Sequence, residues 1–387
     1  MTKSIYDDSG ENERVSSMEK QKEDHNIPYI LQLPSHLLGE IFNKIQIKTL
    51  VQCRFVCKFW HRLLSDPEFT EQLFSGTTCL LLRGCGSDHL ATLKNDSLGP
   101  NDVALKLLKD TIVLPKEVNI VSSCNGLLCF YKVDSWNPPY GRLYISNPIT
   151  GESLALPSPP DEYIISFPTG FGFSPMSGAY KLVLFRPRSG WDDEPYLQVL
   201  VLTVGSGDWR SLGNFSYKLD YMGVCVSGFL HWIDWSRALI CAFDLEREIF
   251  QELPLPPSWD SEGRNNISRL NFRRTRSRLD CRVLGGCLSV TVTATVGSED
   301  TMSIWVMKEH EVKESWSLEL KIVMIGSPST HVFKLEDGLV LLLIHGKLMA
   351  YASWKGFVDV ELEGTGHFVD AHVLIPSFVS PRHIIRG

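Results

Sequence analysis

Eleven histidines and ten cysteines are the side chains of this 387-residue sequence best suited to metal or nucleophilic chemistry. Cys53 and Cys57 sit four residues apart in a helical pattern, a spacing that places two thiols on one face and suits a metal. No second pair at ligand spacing accompanies them and no C-x-x-C occurs, which argues against zinc. His89, His231, His331, His345, His367 and His372 are scattered and read as structural or surface residues. There is no G-x-S-x-G, no H-E-x-x-H and no phosphate-cradling glycine loop, and no carboxylate pair stands out by spacing. Only a site assembled in space from distant residues would escape this reading. The expectation is a non-catalytic protein without cofactor or metal.

The other chemical signal is basic. Seven arginines run from Arg264 to Arg282 in "GRNNISRLNFRRTRSRLDCR", which reads as an extended loop inserted at 264–282. It could grip acidic or phosphorylated segments, act as a nuclear targeting patch, or be a solvated loop. The whole chain carries a net charge of −7, which argues against nucleic-acid binding as its main role. The cysteines lie inside apolar runs such as "GLLCFY" and "LICAF", and no signal peptide is visible, so they read as reduced core residues. "LVLLLI" (Leu339–Ile344) is too short for a membrane span, and no membrane partner is expected. Residues 1–28 are charged, poor in large apolar side chains, and read as a disordered tail. Cytoplasm, nucleus or both are the expected locations.

Two kinds of element must position whatever these residues do. From Leu33 to about Leu73 the pattern is helical. Leu37, Leu38, Ile41, Phe42 and Ile45 recur at 3–4 spacing after Pro34, which suits a first helical turn. A second helix from about Lys48 carries a stripe of Leu50, Cys53, Val56, Cys57, Trp60, Leu63 and Leu64, and "SDPEF" ends it. A unit of roughly 40 residues is near the lower limit for independent folding. Its apolar surface exceeds what its own core hides, so it is expected to dock onto the rest of the chain or a partner.

After Phe74 short β-type runs alternate with Gly-, Pro-, Asn- and Asp-rich turns. Gly126, Gly178, Gly228, Gly286 and Gly338 each open such a run, at intervals of 52, 50, 58 and 52, and Gly76 would add another at 50. "LYISNPITGESLALPSPP" and "ICAFDLEREIFQELPLPP" share a strand, polar turn, strand and proline-rich exit. A period of about 50 with several short strands predicts a β-propeller of about six blades, with a β-sandwich array as the competitor.

The front stretch, "LPSHLLGEIFNKIQIKTLVQCRFVCKFWHRLLSDPEF", resembles the F-box. The resemblance rests on Leu33-Pro34, on Leu37, Leu38 and Ile41, on Val56-Cys57-Lys58-Phe59-Trp60, on Leu63 and Leu64, and on Asp66-Pro67-Glu68-Phe69. Ile45-Gln46 departs from the Leu-Pro often found before the family's second helix, which loosens that turn without removing an apolar contact. "SCNGLLCFY", "NPIT" and "GFGFSPMSGAYKLVLF" resemble the F-box-associated domain of plant F-box proteins. The likeness covers most of 77–380 and weakens beyond Asp260.

The resemblance implies an α+β multidomain chain: a tail (1–28), an all-α F-box (29–74) and a mainly-β F-box-associated, kelch-like propeller domain (75–387). It implies a substrate receptor of an SCF-type ubiquitin ligase, with a Skp-type adaptor, and through it a cullin and a RING subunit, as partners. The adaptor-binding residues implied are Leu33, Pro34, Leu37, Ile41, Leu50, Val56, Cys57, Trp60 and Leu63. An unidentified protein target would sit on propeller loops, with Trp136, Arg186, Arg188, Trp191, Arg273, Arg274 and Arg276 as candidates; the tryptophans could equally be blade packing. A non-ligase scaffold and a lectin-like glycan reader are the alternatives.

Overall fold

The computed structural model describes residues 29–74, 78–84, 88–93, 106–108, 114, 118–133, 141–160, 168–188, 196–219, 222–234, 236–257, 278–296, 299–324, 332–334, 340–352, 356–360 and 368–384. The chain divides into two compact units, Met1–Ser75 and Gly76–Gly387. The tail expectation for 1–28 lies outside the described residues.

In the first unit a 3-10 turn (Tyr29–Gln32) precedes α1 (Ser35–Asn43), α2 (Ile47–Cys53), α3 (Lys58–Ser65) and α4 (Pro67–Leu73). Pro34 stands at the N-cap, one residue outside α1. The single helix predicted from Lys48 to Leu64 is in fact two. Cys57 is extended (φ −156°, ψ 165°) and its Sγ accepts the Trp60 N–H at 3.5 Å, so it starts α3 and ends the stripe. "SDPEF" both stops α3 and starts α4, because Asp66 Oδ1 accepts the Phe69 N–H at 2.9 Å and satisfies a free first-turn donor. Leu38, Phe42, Ile47, Leu50, Cys53, Leu64, Leu73 and Phe74 fill the core.

In the second unit the strands group in fours. Blade 2 is β4 (Val118–Cys124), β5 (Leu127–Val133), β6 (Gly141–Asn147) and β7 (Glu152–Ala155). Blade 3 is β8 (Thr169–Ser174), β9 (Ala179–Arg188), β10 (Tyr196–Thr203) and β11 (Trp209–Phe215). Blade 4 is β12 (Met222–Val226), β13 (Phe229–Asp234), β14 (Leu239–Asp244) and β15 (Phe250–Pro254). Blade 5 is β16 (Arg278–Leu284), β17 (Cys287–Val296), β18 (Glu299–Met307) and β19 (Trp316–Met324). Blade 6 is β20 (Val332–Lys334), β21 (Val340–Ile344), β22 (Lys347–Ala352) and β23 (Gly356–Asp359). Blade 1 joins the two ends of the unit: β1 (Thr78–Gly84), β2 (Asp88–Leu93) and β3 (Lys106–Leu108) are completed by β24 (Phe368–Leu374), which pairs antiparallel with β1 from Cys79↔Leu374 to Gly84↔Phe368. The propeller of about six blades is what the strands form; separate sandwiches would not share a blade between the two ends of the unit.

The glycine period has a local cause. Gly126, Gly178, Gly228 and Gly286 all have positive φ (77°, 65°, 82° and 76°) at the turn from a blade's innermost strand to its second. That left-handed conformation favours glycine. Gly76 and Gly338 fall outside the described residues. The shared "NPITGE" and "DLERE" turns follow the third strand of blades 2 and 4. In each, a buried side chain at the strand end caps the turn. Asn147 Oδ1 accepts from Ile149 N at 2.8 Å, and Asp244 Oδ1 from Glu246 N at 2.8 Å.

Blades 3 and 4 are fused into one eight-stranded sheet by a short parallel pairing, Met222↔Thr169 and Gly223↔Gly170. Three glycines allow this approach. A Cβ on Gly170 would lie 2.5 Å from the Trp232 ring, one on Gly223 2.4 Å from it, and one on Gly172 2.7 Å from Leu245 and 2.8 Å from Cys225 Sγ. Trp232 is fully buried in this clasp, edge-on to Phe185 at 5.1 Å. Outside it, Glu248 reaches back from blade 4 to Lys181 Nζ (2.9 Å) and Arg210 (2.7 Å) of blade 3. Burial raises the Glu248 carboxyl, but the bonds from Arg210 and Lys181 outweigh it and hold its pKa below the ordinary value.

Candidate functional site

In the helical unit, side chains divide by helix face. Leu38 and Phe42 of α1 point inward, while Leu37 (37% exposed) and Ile41 (39%) lie on the opposite side. Beyond α2, Phe55 (78%) and Val56 (66%) project from the turn and Phe59 (42%) from the start of α3. Pro34 is exposed, and Leu33, Cys57, Trp60 and Leu63 are half-buried. Leu50 corrects the expectation. It is 1% exposed, at the centre of the helical core, and has no face to offer a partner. Trp60 rests edge-on against Phe42, with centroids 5.3 Å apart, and its buried indole N–H has no hydrogen-bond partner. Phe55 and Phe59 were not singled out from the sequence. Their spacing of four, with both outside the apolar stripe, was the available signal.

In the propeller, the expectation that Arg186 and Arg188 sit on a loop is corrected. Arg186 and Arg188 belong to β9, and Tyr196 begins β10. Arg186 is buried, its guanidinium donating to the Pro160 carbonyl and to Gln198 Oε1 at 2.7 Å, so it braces the blade. Trp136, Trp191, Arg273, Arg274 and Arg276 lie outside the described residues. The basic insertion ends earlier than 282: β16 already begins at Arg278, and Arg282 pairs with Asp280 at 3.1 Å.

Two titratable clusters emerge only in three dimensions. His231 is fully buried in β13, and its Nδ1 lies 3.3 Å from the Val224 carbonyl. A carbonyl only accepts, so Nδ1 carries the proton and Nε2 accepts from His310 Nε2 at 2.8 Å. Burial, aided by His310, pushes the His231 pKa down to about 3, and burial lowers His310 as well. The second cluster lines a cavity of about 300 Å³ at the propeller axis, walled by β4, β8, β12, β16 and β24. Cys124 and Cys225 both line it. The neighbouring Cys124 thiol, with the Phe173 and Gly228 amides, holds Cys225 below the ordinary thiol value against its burial. The neighbouring Cys225 and burial raise Cys124. Among the described residues no cluster of three or more His, Cys, Asp or Glu could hold a metal.

A model described as the F-box domain matches residues 30–72, and one described as the F-box associated beta propeller domain matches 94–337. F-box protein At3g07870 of Arabidopsis thaliana is 33% identical over 322 residues, spanning 75% of this chain and 72% of that one. F-box protein At5g49610 of the same plant is 27% identical over 356 residues, spanning 85% and 91%. The Arabidopsis F-box/kelch-repeat protein At3g23880 is 26% identical over 387 residues, spanning 91% and 96%. With a four-helix front unit and a closed ring of six four-stranded blades behind these matches, the chain belongs to the plant-type F-box proteins that carry an F-box associated β-propeller domain.

Proposed function

We propose that this chain is a substrate receptor of an SCF-type ubiquitin ligase, whose helical unit docks a Skp-type adaptor and whose propeller holds a protein target for ubiquitination and degradation. One observation carries the reading. The helical unit keeps Leu37, Ile41, Phe55, Val56 and Phe59 exposed although its core is already filled by Leu38, Phe42, Leu50 and Leu64. Large exposed apolar side chains on so small a unit have the make-up of the central part of a stable interface. Leu33, Pro34, Cys57, Trp60 and Leu63 border these residues in sequence and would shape the rim. In this reading the chain brings two proteins together and leaves the chemistry to the cullin and RING subunits. It would act in the cytoplasm, the nucleus or both.

The test is a pull-down of the full chain with purified Skp-type adaptor, followed by addition of cullin. Wild type should bind, and a Leu37→Glu, Val56→Glu double variant should lose at least tenfold in affinity while its melting temperature holds. Failure of the wild type to bind would overturn the reading. Adaptor binding without cullin recruitment would leave a non-ligase scaffold.

A further inference from the structure

The ring of blades encloses a cavity of about 300 Å³ at its axis, large enough for a small molecule or one end of a larger one. The innermost strands of blades 1 to 5 wall it: β24, β4, β8, β12 and β16. Ser123 Oγ donates to the Val373 carbonyl at 2.8 Å and ties β4 to β24 along that wall. The lining includes the exposed Asn125, Pro175, Ser227 and Ile375, so the cavity opens to solvent at the end of the ring where the innermost strands turn back. Asn125-Gly126 and Ser227-Gly228, all at positive φ, make two of those turns.

Val121, Phe173, Met222, Val224 and Val373 give the wall an apolar body. Its charge is one-sided. In a chain of net charge −7, the lining carries Arg282 and His372 but no aspartate or glutamate. Asp280 and Asp370 support these two from behind, each two residues earlier on the same strand. Arg282 Nε donates to Asp280 Oδ2 at 3.1 Å, and His372 Nε2 lies 2.9 Å from Asp370 Oδ2. Such supporting carboxylates fix the orientation of the group in front of them. A guanidinium carries five donors in a planar fork, so one that is held through Nε also suits a second carboxylate. A cationic ligand would meet like charge on this wall.

We propose that the axial cavity is a binding site for a monocarboxylate with a compact apolar body, its carboxylate on Arg282 and its body against Val121, Met222 and Val224. A free organic acid and the last residue of a polypeptide offer the same chemistry. The site goes beyond the ligase reading and does not depend on it.

The test uses the full chain. The probes are cyclohexanecarboxylate, octanoate and the tripeptide Gly-Gly-Leu with a free carboxyl end, each beside its primary amide. Binding is detected by saturation-transfer NMR and quantified by calorimetry. At least one acid should bind, and its amide should bind about tenfold more weakly or less, the loss of a charge-assisted contact. Arg282→Gln should bring the acid down to the level of its amide. Ile375→Trp, which places an indole at the mouth from an exposed position, should lose both. Arg247→Gln removes an exposed guanidinium outside the lining and should bind as wild type does. Tighter binding of the tripeptide than of the free acids would identify a polypeptide end as the source, and the reverse order a small molecule. No binding by any acid, equal binding of acids and amides, or acid binding unchanged in Arg282→Gln would overturn the proposal. Should Arg282→Gln melt below wild type, the acid-to-amide ratio and Ile375→Trp decide.

Discussion

At the scale of single residues, burial decides what each chemically able group does. Trp60 is held by its ring edge against Phe42, and its indole N–H bonds to nothing, so the N–H contributes no stability. Trp60→Phe should therefore change unfolding free energy by less than about 1 kcal/mol, whereas Trp60→Ala should cost about 2–4 kcal/mol in urea denaturation of the helical unit. His231 gives a pH dependence. Its folded pKa, about 3, lies below the ordinary histidine value of 6.5, so the unfolded chain binds the proton first. The stability it contributes is full above pH 6.5 and is lost as pH falls toward 3, at up to about 1.4 kcal/mol per unit. Glu311, 3.8 Å from His310 Nδ1, partly offsets this at His310 alone. Urea midpoints taken from pH 8 to 4 should be flat and then fall. In His231→Asn, which can still bond to Val224 and His310, the fall should be shallower.

At the scale of elements, the sequence displayed its turns better than its contacts. "DPEF" announced a helix boundary because an N-cap is a local device, and the glycine period announced the hairpins because positive φ is a local demand. The break between α2 and α3 was not legible. Nothing in "QCRFVCKFW" interrupts the apolar spacing, and only the folded unit shows Cys57 extended as a cap. Gly170 of "GFGF" likewise gained its meaning from Trp232, some 60 residues later in the chain. Gly170→Ala should destabilise the propeller by about 1–3 kcal/mol, because the new methyl must displace a rigid indole in a filled core. Thermal unfolding followed by tryptophan fluorescence would read it.

At the scale of the whole molecule, the β unit is closed by its own end. β24 completes blade 1, and the segment that follows crosses to blade 2. There Asn147 Nδ2 donates to the Ser377 and Val379 carbonyls at 2.9 Å each, and Ser377 Oγ to the Asn125 carbonyl at 3.0 Å. Phe378 is fully buried there, and Gly126 must be glycine because a Cβ would stand 2.2 Å from Ser377 Oγ. Phe378→Ala should cost about 3–5 kcal/mol by calorimetry, a loss comparable to that of a central core residue despite its place nine residues before Gly387.

The sequence by itself determined the helical front, the six-fold β repeat and the family pattern, because each is written in spacings no longer than about one blade. It also marked Leu37, Ile41 and Val56, which proved exposed, but could not separate them from Leu50, which proved buried. Which side of a short helix faces a core depends on the other helices around it. The tertiary structure alone decided that Arg186 is a brace, that His231 meets His310 and that Cys124 and Cys225 line one cavity. Each of those partnerships is set by how neighbouring blades pack, and inter-blade packing leaves no period in the chain to be read.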